Sequence, residues 1–201
     1  MNALRIGFVI PAAGLSRRHP PNKLLLTVDD QPVIRRTVSA MLALPYSLCV
    51  VVGYEANKII AALAGLDQSQ FNIIENPAYK TGMASAIISG ITALPDDLDY
   101  FGFLPGDKPF IRPHTIHSMI RDLEVQKPDI LVPTCQGQPG HPTFFLSTAF
   151  RDEFVRLTGD TGGREIIERH PQQVRYLPMD TPEIILDMDR WLEMEEQKHA
   201  E

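Results

Sequence analysis

Short runs of consecutive apolar residues alternate along this chain with longer stretches in which apolar positions recur every three or four residues. Residues 6–10 (IGFVI) form the first run, the pattern of a strand buried on both faces. Residues 32–44 follow, with Val33, Thr37, Val38, Met41 and Leu42 on one helical face and Pro32 suited to a first turn. Residues 48–52 read as a second buried strand ended by Gly53, and residues 56–63 as a short helix ended by Gly65. The alternation continues with a strand at 71–74, a helix at 83–94, a strand at 100–104 and a helix at 114–123. Strands at 130–133 and 143–146, then helices at 148–157 and 163–170, come next. Short apolar segments at 174–177 and 184–186 close the pattern, and the tail EMEEQKHAE predicts a solvated helix end.

Strands alternating with helices imply parallel βαβ units with right-handed crossovers, hence an α/β fold. In such sheets ligands bind beyond the carboxyl ends of the strands. Chemistry is therefore expected in residues 11–23, 53–54, 76–77, 105–109, 136–142 and 187–189. The length of 201 residues fits one domain spanning 1–201, able to bury a core without disulfides. A net charge of −6 with no basic run argues against nucleic acid as a partner. No apolar run approaches the ~18 residues of a membrane span. The first residues, MNALRIGFVIPAAG, read as a strand rather than a secretion signal, so a cytoplasmic protein is expected. Cys49 and Cys135 lack metal-ligand spacing and are expected to be free thiols, Cys135 buried and inert. His114, His117, His170 and His199 show no partner spacing and are expected to be surface or structurally satisfied side chains.

The first post-strand loop, PAAGLSRRHPPNK, carries the most chemistry. Ala12, Ala13 and Gly14 allow close backbone approach, and Arg17, Arg18 and Lys23 bring three cations to the same place. Backbone N–H groups with convergent cations suit a triphosphate of about four negative charges. A solvated surface loop is the alternative. The loop matches neither GxGxxG nor GxxxxGK[ST], so neither a dinucleotide fold nor a Walker loop is indicated.

Read as A-A-G-x-S-x-R-x-x-x-x-K, at Ala12, Ala13, Gly14, Ser16, Arg18 and Lys23, the loop resembles that of the MobA-like NTP transferases. Asn76-Pro77 with Gly82-Met83-Ala84-Ser85 resembles that family's NP…GMxxS segment, and Gly106-Asp107-Lys108-Pro109 its GDQP element. Gly140-His141-Pro142, residues 159–164 (GDTGGR) and Asp187-Met188-Asp189 resemble the GHP, GDxGAR and DxDTPED elements of its molybdenum cofactor cytidylyltransferase type. The six matches fall in order over residues 5 to 193. The chain departs from the pattern at His19-Pro20, at Lys108 and after Asp189.

The resemblance implies a three-layer α/β/α Rossmann-like, mostly parallel fold of the nucleotide-diphospho-sugar transferase type. It implies a Mg²⁺-dependent nucleotidyltransferase passing CMP from CTP to molybdopterin, with a molybdenum hydroxylase apo-enzyme as a further partner. Arg18 and Lys23 would clamp the triphosphate; Asp107 and Asp189 would hold the metal; Gly82 and Ser85 would lie near base and ribose. Ala13, where guanylyl members carry glycine, favours the smaller pyrimidine. Gly140, His141, Pro142, Gly159, Asp160 and Arg164 would face the acceptor. Structural alternatives stand beside these roles: Asp107 as a turn residue, Asp189 as a helix N-cap, Ser85 as a first-turn serine, His141 packed on Pro142 and Arg164 on the surface. A sugar- or polyol-phosphate nucleotidyltransferase, and a weakly catalytic carrier of the cofactor, are the rival functions.

Overall fold

The computed structural model describes residues 3–14 and 22–199. In chain order the strands and helices are β1 (Ile6–Ala12), β2 (Thr27–Val28), β3 (Gln31–Pro32), α1 (Val33–Leu42), β4 (Ser47–Val52), α2 (Ala56–Ala62), β5 (Asn72–Glu75) and α3 (Met83–Ala93). They continue as β6 (Tyr100–Phe103), α4 (Pro113–Gln126), β7 (Ile130–Cys135), β8 (Gln138–Pro139), β9 (Thr143–Leu146), α5 (Ser147–Phe154), α6 (Gly163–Arg169), β10 (Val174–Pro178) and α7 (Met188–His199).

The main sheet has the order β10-β7-β9-β6-β1-β4-β5, with β8 paired to β7. β1 runs parallel to β4 and β6, β4 to β5, and β7 to β10. β9 alone within that path is reversed, pairing antiparallel with both β6 and β7. The alternating side chains of each strand explain the apolar runs. Ile6, Phe8, Ile10 and Ala12 point to one face, where α1, α2 and α4 pack through Ile34, Val38, Ile59, Ile116 and Met119. Val9, Cys49 and Val51 point to the other, against Ile87 and Ile91 of α3, Phe150 and Phe154 of α5 and Ile166 of α6. Both faces are thus covered by helices, which makes a three-layer α/β/α fold with a mostly parallel sheet. On the second face Phe145 and Phe154 meet edge-on, with ring centroids 4.8 Å apart.

α3 lies close to the sheet because Gly90 has no side chain: a Cβ there would overlap Val9. Three short strands, β2, β3 and β8, escaped the apolar pattern. β2 and β3 form a hairpin around Asp29 and Asp30, whose φ angles of 49° and 60° match a two-residue turn with both central residues left-handed. The apolar segment 184–186 forms no strand; Pro182–Ile184 is a 3-10 turn leading into α7. Both cysteines are buried free thiols, and burial pushes the Cys49 pKa up to about 11. Among the described residues no helix is long and apolar enough to cross a membrane.

Candidate active site

The carboxyl ends of β1 and β6 and the segment that follows β5 open onto one pocket of about 440 Å³. Its walls are residues 11–14, 22–24, 79–83, 86, 105–107 and Asp160. Ala12 closes β1, and Ala13 and Gly14 begin the loop that follows it. Ser16, Arg17, Arg18 and His19-Pro20 lie outside the described residues. Tyr54 donates its backbone N–H to the Ala13 carbonyl at 3.3 Å, which ties the start of the loop to the end of β4.

Asp107 follows β6 in a loop pinned to β1 and α1. Gly106 donates to the Pro11 carbonyl at 3.3 Å, and the buried Thr37 hydroxyl donates to the Gly106 carbonyl at 3.0 Å. Lys23 reaches this loop from a 3-10 turn, Lys23–Leu25, capped by the Asn22 side chain, which accepts from the Leu24 N–H at 3.2 Å. Its ammonium lies 2.6 Å from Asp107 Oδ2 and 2.9 Å from Asp189 Oδ2. Burial alone would lower the Lys23 pKa; the two carboxylates outweigh it and hold the group above its ordinary value. Three residues widely separated in sequence thus share one charge cluster at the edge of the pocket.

Asp189 arrives there because the start of α7 is fixed. The Asp187 side chain caps this helix, its Oδ1 accepting from the Arg190 N–H at 3.0 Å. The helix-cap alternative therefore falls to Asp187, and Asp189 sits in the first turn. Lys108 is buried behind this junction, its ammonium 3.8 Å from Asp187 Oδ2. Burial lowers its pKa, with Asp187 and Asp107 opposing. His141 belongs to the same junction. Its backbone N–H donates to the Ile184 carbonyl at 2.9 Å, and its ring Nδ1 is buried with no hydrogen-bond partner. Burial, then the nearby Lys108 charge, pushes its pKa down to about 4, against opposition from the Phe103 backbone and Asp187. The ring is therefore neutral near pH 7. Gly140 is packed so closely on Ile184 that a Cβ would meet it at 2.8 Å.

The glycine-rich segment after α5, expected to face the acceptor, bonds to the start of α3. Asp160 Oδ1 accepts from the Met83 N–H at 3.2 Å, and the Gly159 carbonyl accepts from the Ala84 N–H at 3.0 Å. The segment therefore caps α3 and brings Asp160 to the pocket wall beside Gly82 and Met83. Gly82 has φ of 119°, and a side chain there would overlap Gly159. Arg164 does not join the pocket; its side chain is 91% exposed and pairs with Glu168 one turn along α6 at 2.8 Å. Ser85 is engaged locally: its oxygen accepts from Asn76 Nδ2 at 2.8 Å, and its hydroxyl faces the Gly82 carbonyl at 2.9 Å. Five wall residues lay outside the motifs: Leu24, Tyr79, Lys80, Thr81 and Ala86. Tyr79 could have been anticipated only through Gly53, where a Cβ would meet Tyr79 Cβ at 2.6 Å.

The MobA-like NTP transferase domain matches residues 8–174 of this chain. The chain belongs to the MobA-like NTP transferase family. As a MobA-like protein it is a nucleotidyltransferase, and its loop, its Lys23–Asp107 contact and most of its sheet fall within the matched region. The molybdenum cofactor cytidylyltransferase of Escherichia coli K12 is 24% identical over 184 residues, covering 92% of this chain and 91% of that protein. Among solved structures, Rv0371c of Mycobacterium tuberculosis H37Rv superposes with a TM-score of 0.74 at 26% identity, over 90% of each chain. A complex of Rv0371c with manganese matches with a TM-score of 0.69 at 26% identity, over 88% of this chain and 89% of that one. A nucleotidyl transferase from Methanothermobacter shares the fold at 20% identity, with a TM-score of 0.76 over 96% and 97% of the two chains.

Proposed function

We propose that this MobA-like enzyme transfers the CMP group of CTP to the terminal phosphate of molybdopterin, forming the cytosine dinucleotide and pyrophosphate. The observation that carries this reading is the meeting of Lys23 with Asp107 and Asp189 at the edge of a pocket floored by residues 12–14. A cation and two carboxylates beside a wall of small residues suit a metal-bound triphosphate. The cytidylyltransferase relative, aligned over 92% of this chain, supports CTP and molybdopterin as the pair of substrates. Ala13 supports the pyrimidine: it is buried and lines the pocket, where a purine would need more room.

Asp107 and Asp189 fit a divalent metal. Their oxygens are hard donors that already converge on one cation. Among the described residues no set of three or more His, Cys, Asp or Glu side chains is grouped to hold a metal. Two carboxylates that leave places for phosphate oxygens and water form a donor set suited to Mg²⁺, which keeps several waters and binds substrate phosphates. The manganese complex of Rv0371c supports the same reading. A divalent cation held there supplies neutralisation of charge on the α-phosphate oxygens.

The protein's own part is positioning and charge. Lys23, with Arg18, neutralises the triphosphate and holds the α-phosphorus in line for attack. An oxygen of the acceptor phosphate forms the new bond to the α-phosphorus, the bond to the α–β bridging oxygen breaks, and pyrophosphate departs with that electron pair. No side chain has to remove a proton, because the attacking phosphate is ionised at neutral pH. Alignment of this kind is worth about 7–11 kcal/mol. Residues 140–142 would face the acceptor: His141 lies near enough to Lys108 and Asp187 for their charges to act on it, and its neutral ring would serve as a hydrogen-bonding group. The test is pyrophosphate release from CTP, GTP, ATP and UTP, each with and without molybdopterin. Release that depends on CTP and molybdopterin together is expected. Release only with a sugar or polyol phosphate would replace the acceptor, and cofactor binding without any release would make the protein a carrier.

A further inference from the structure

Lys23 touches the wrong partners for a residue that only binds phosphate. Its ammonium is within hydrogen-bonding distance of both Asp107 Oδ2 and Asp189 Oδ2, while its side chain is about three-quarters buried. Asp107 comes from the loop after β6 and Asp189 from α7, and two carboxylates brought so close repel unless a cation lies between them. Among the described residues Lys23 is the cation that lies between them.

We propose that Lys23 is a resident place-holder for the metal. It keeps Asp107 and Asp189 together before the metal arrives, and the metal–nucleotide complex displaces it onto the triphosphate. The inference rests on the reading of Asp107 and Asp189 as the metal pair. A metal at about 2.1 Å from the Asp107 oxygen that Lys23 touches would lie within about 5 Å of the ammonium. At that distance a dication and an ammonium repel strongly in a partly buried site. The metal alone has nothing to offer Lys23 in exchange for its two carboxylates. The metal bound to a triphosphate does, because phosphate oxygens accept the ammonium as it leaves. The site is thus closed to free cations and open to the metal–nucleotide complex, so metal and nucleotide enter together.

The inference predicts opposite effects of one substitution on two ligands. The probe is Mn²⁺ alone, followed by electron paramagnetic resonance of the nucleotide-free protein; CTP binding in the presence of Mn²⁺ is followed by calorimetry. Lys23→Gln should bind free Mn²⁺ about tenfold or more tightly than the unsubstituted protein and should bind CTP with Mn²⁺ more weakly. Lys23→Arg, which keeps a cation there, should leave free Mn²⁺ binding weak; thermal melting of each variant confirms that it is folded. Asp107→Asn and Asp189→Asn in the Lys23→Gln background should abolish the gain. If Lys23→Gln binds free Mn²⁺ no more tightly, while the aspartate variants still lose metal–nucleotide binding, the place-holder role is wrong and the metal pair stands. If the aspartate substitutions change neither measurement, the metal pair itself is wrong, and the inference falls with it.

Discussion

The backbone N–H of Met188 donates to the backbone carbonyl of Asp107 at 3.0 Å. This bond joins the loop after β6 to the first turn of α7, and it brings Asp189 beside Asp107. Neither carboxylate is positioned by its own neighbours in sequence alone. The Met188 side chain is buried in the core below, so the junction is anchored by packing as well as by the hydrogen bond.

Replacement of Lys23 tests the charge cluster in catalysis. Lys23→Ala should lower kcat/KM for nucleotidyl transfer by about 10³ or more, the scale set by charge clamps on transferred phosphates. Steady-state kinetics check this, and normal turnover would remove Lys23 from the machinery.

Gly82 offers a test of how α3 begins. Gly82→Ala places a side chain at φ of 119° and against the Gly159 carbonyl. The expected loss is roughly 3 kcal/mol or more in urea unfolding. Gly137→Ala is the control: its φ is 77° but nothing lies within 4 Å of a Cβ, so about 1–2 kcal/mol is expected.

Asp160 should show its capping role separately from its place in the pocket wall. Asp160→Ala removes the acceptor for the Met83 N–H, a change worth about 1 kcal/mol of stability. Asp160→Asn keeps a carbonyl oxygen there and should retain most of it. Equal losses in the two variants would show that charge rather than capping is at stake.

His141 gives the protein a pH-dependent stability. Its pKa falls from the ordinary 6.5 to about 4 on folding, so the unfolded chain binds a proton that the folded one rejects. The neutral ring therefore favours the fold fully above pH 6.5, and stability is lost as pH falls from 6.5 towards 4, by up to about 3 kcal/mol. His141→Gln should flatten the melting temperature across that window. The same slope in both proteins would assign the effect to other groups.

Much of the fold was legible because β1 and β4 are buried on both faces, and only continuous apolar runs satisfy that environment. The reversal of β9 was not legible: residues 143–146 are apolar on both faces whichever way the strand runs. Segment 184–186 misled for a related reason. Ile184 is apolar because it packs under Gly140, not because it lies in the sheet. At the site, Lys23, Asp107 and Asp189 could be named from their motifs, but their contact depends on Asp187 capping α7 and on the Met188 bond, which only the folded chain reveals. Local spacing was also silent on Gly159 and Asp160, which serve α3 from some 77 residues away.

The most direct test of the account is to incubate the protein with CTP, Mg²⁺ and molybdopterin and to follow the products by mass spectrometry. The account predicts molybdopterin cytosine dinucleotide with an equal amount of pyrophosphate, strongly reduced when GTP replaces CTP and lost in Asp107→Asn. No dinucleotide with any of the four nucleoside triphosphates, from a protein that does form a product with a sugar or polyol phosphate, would contradict it.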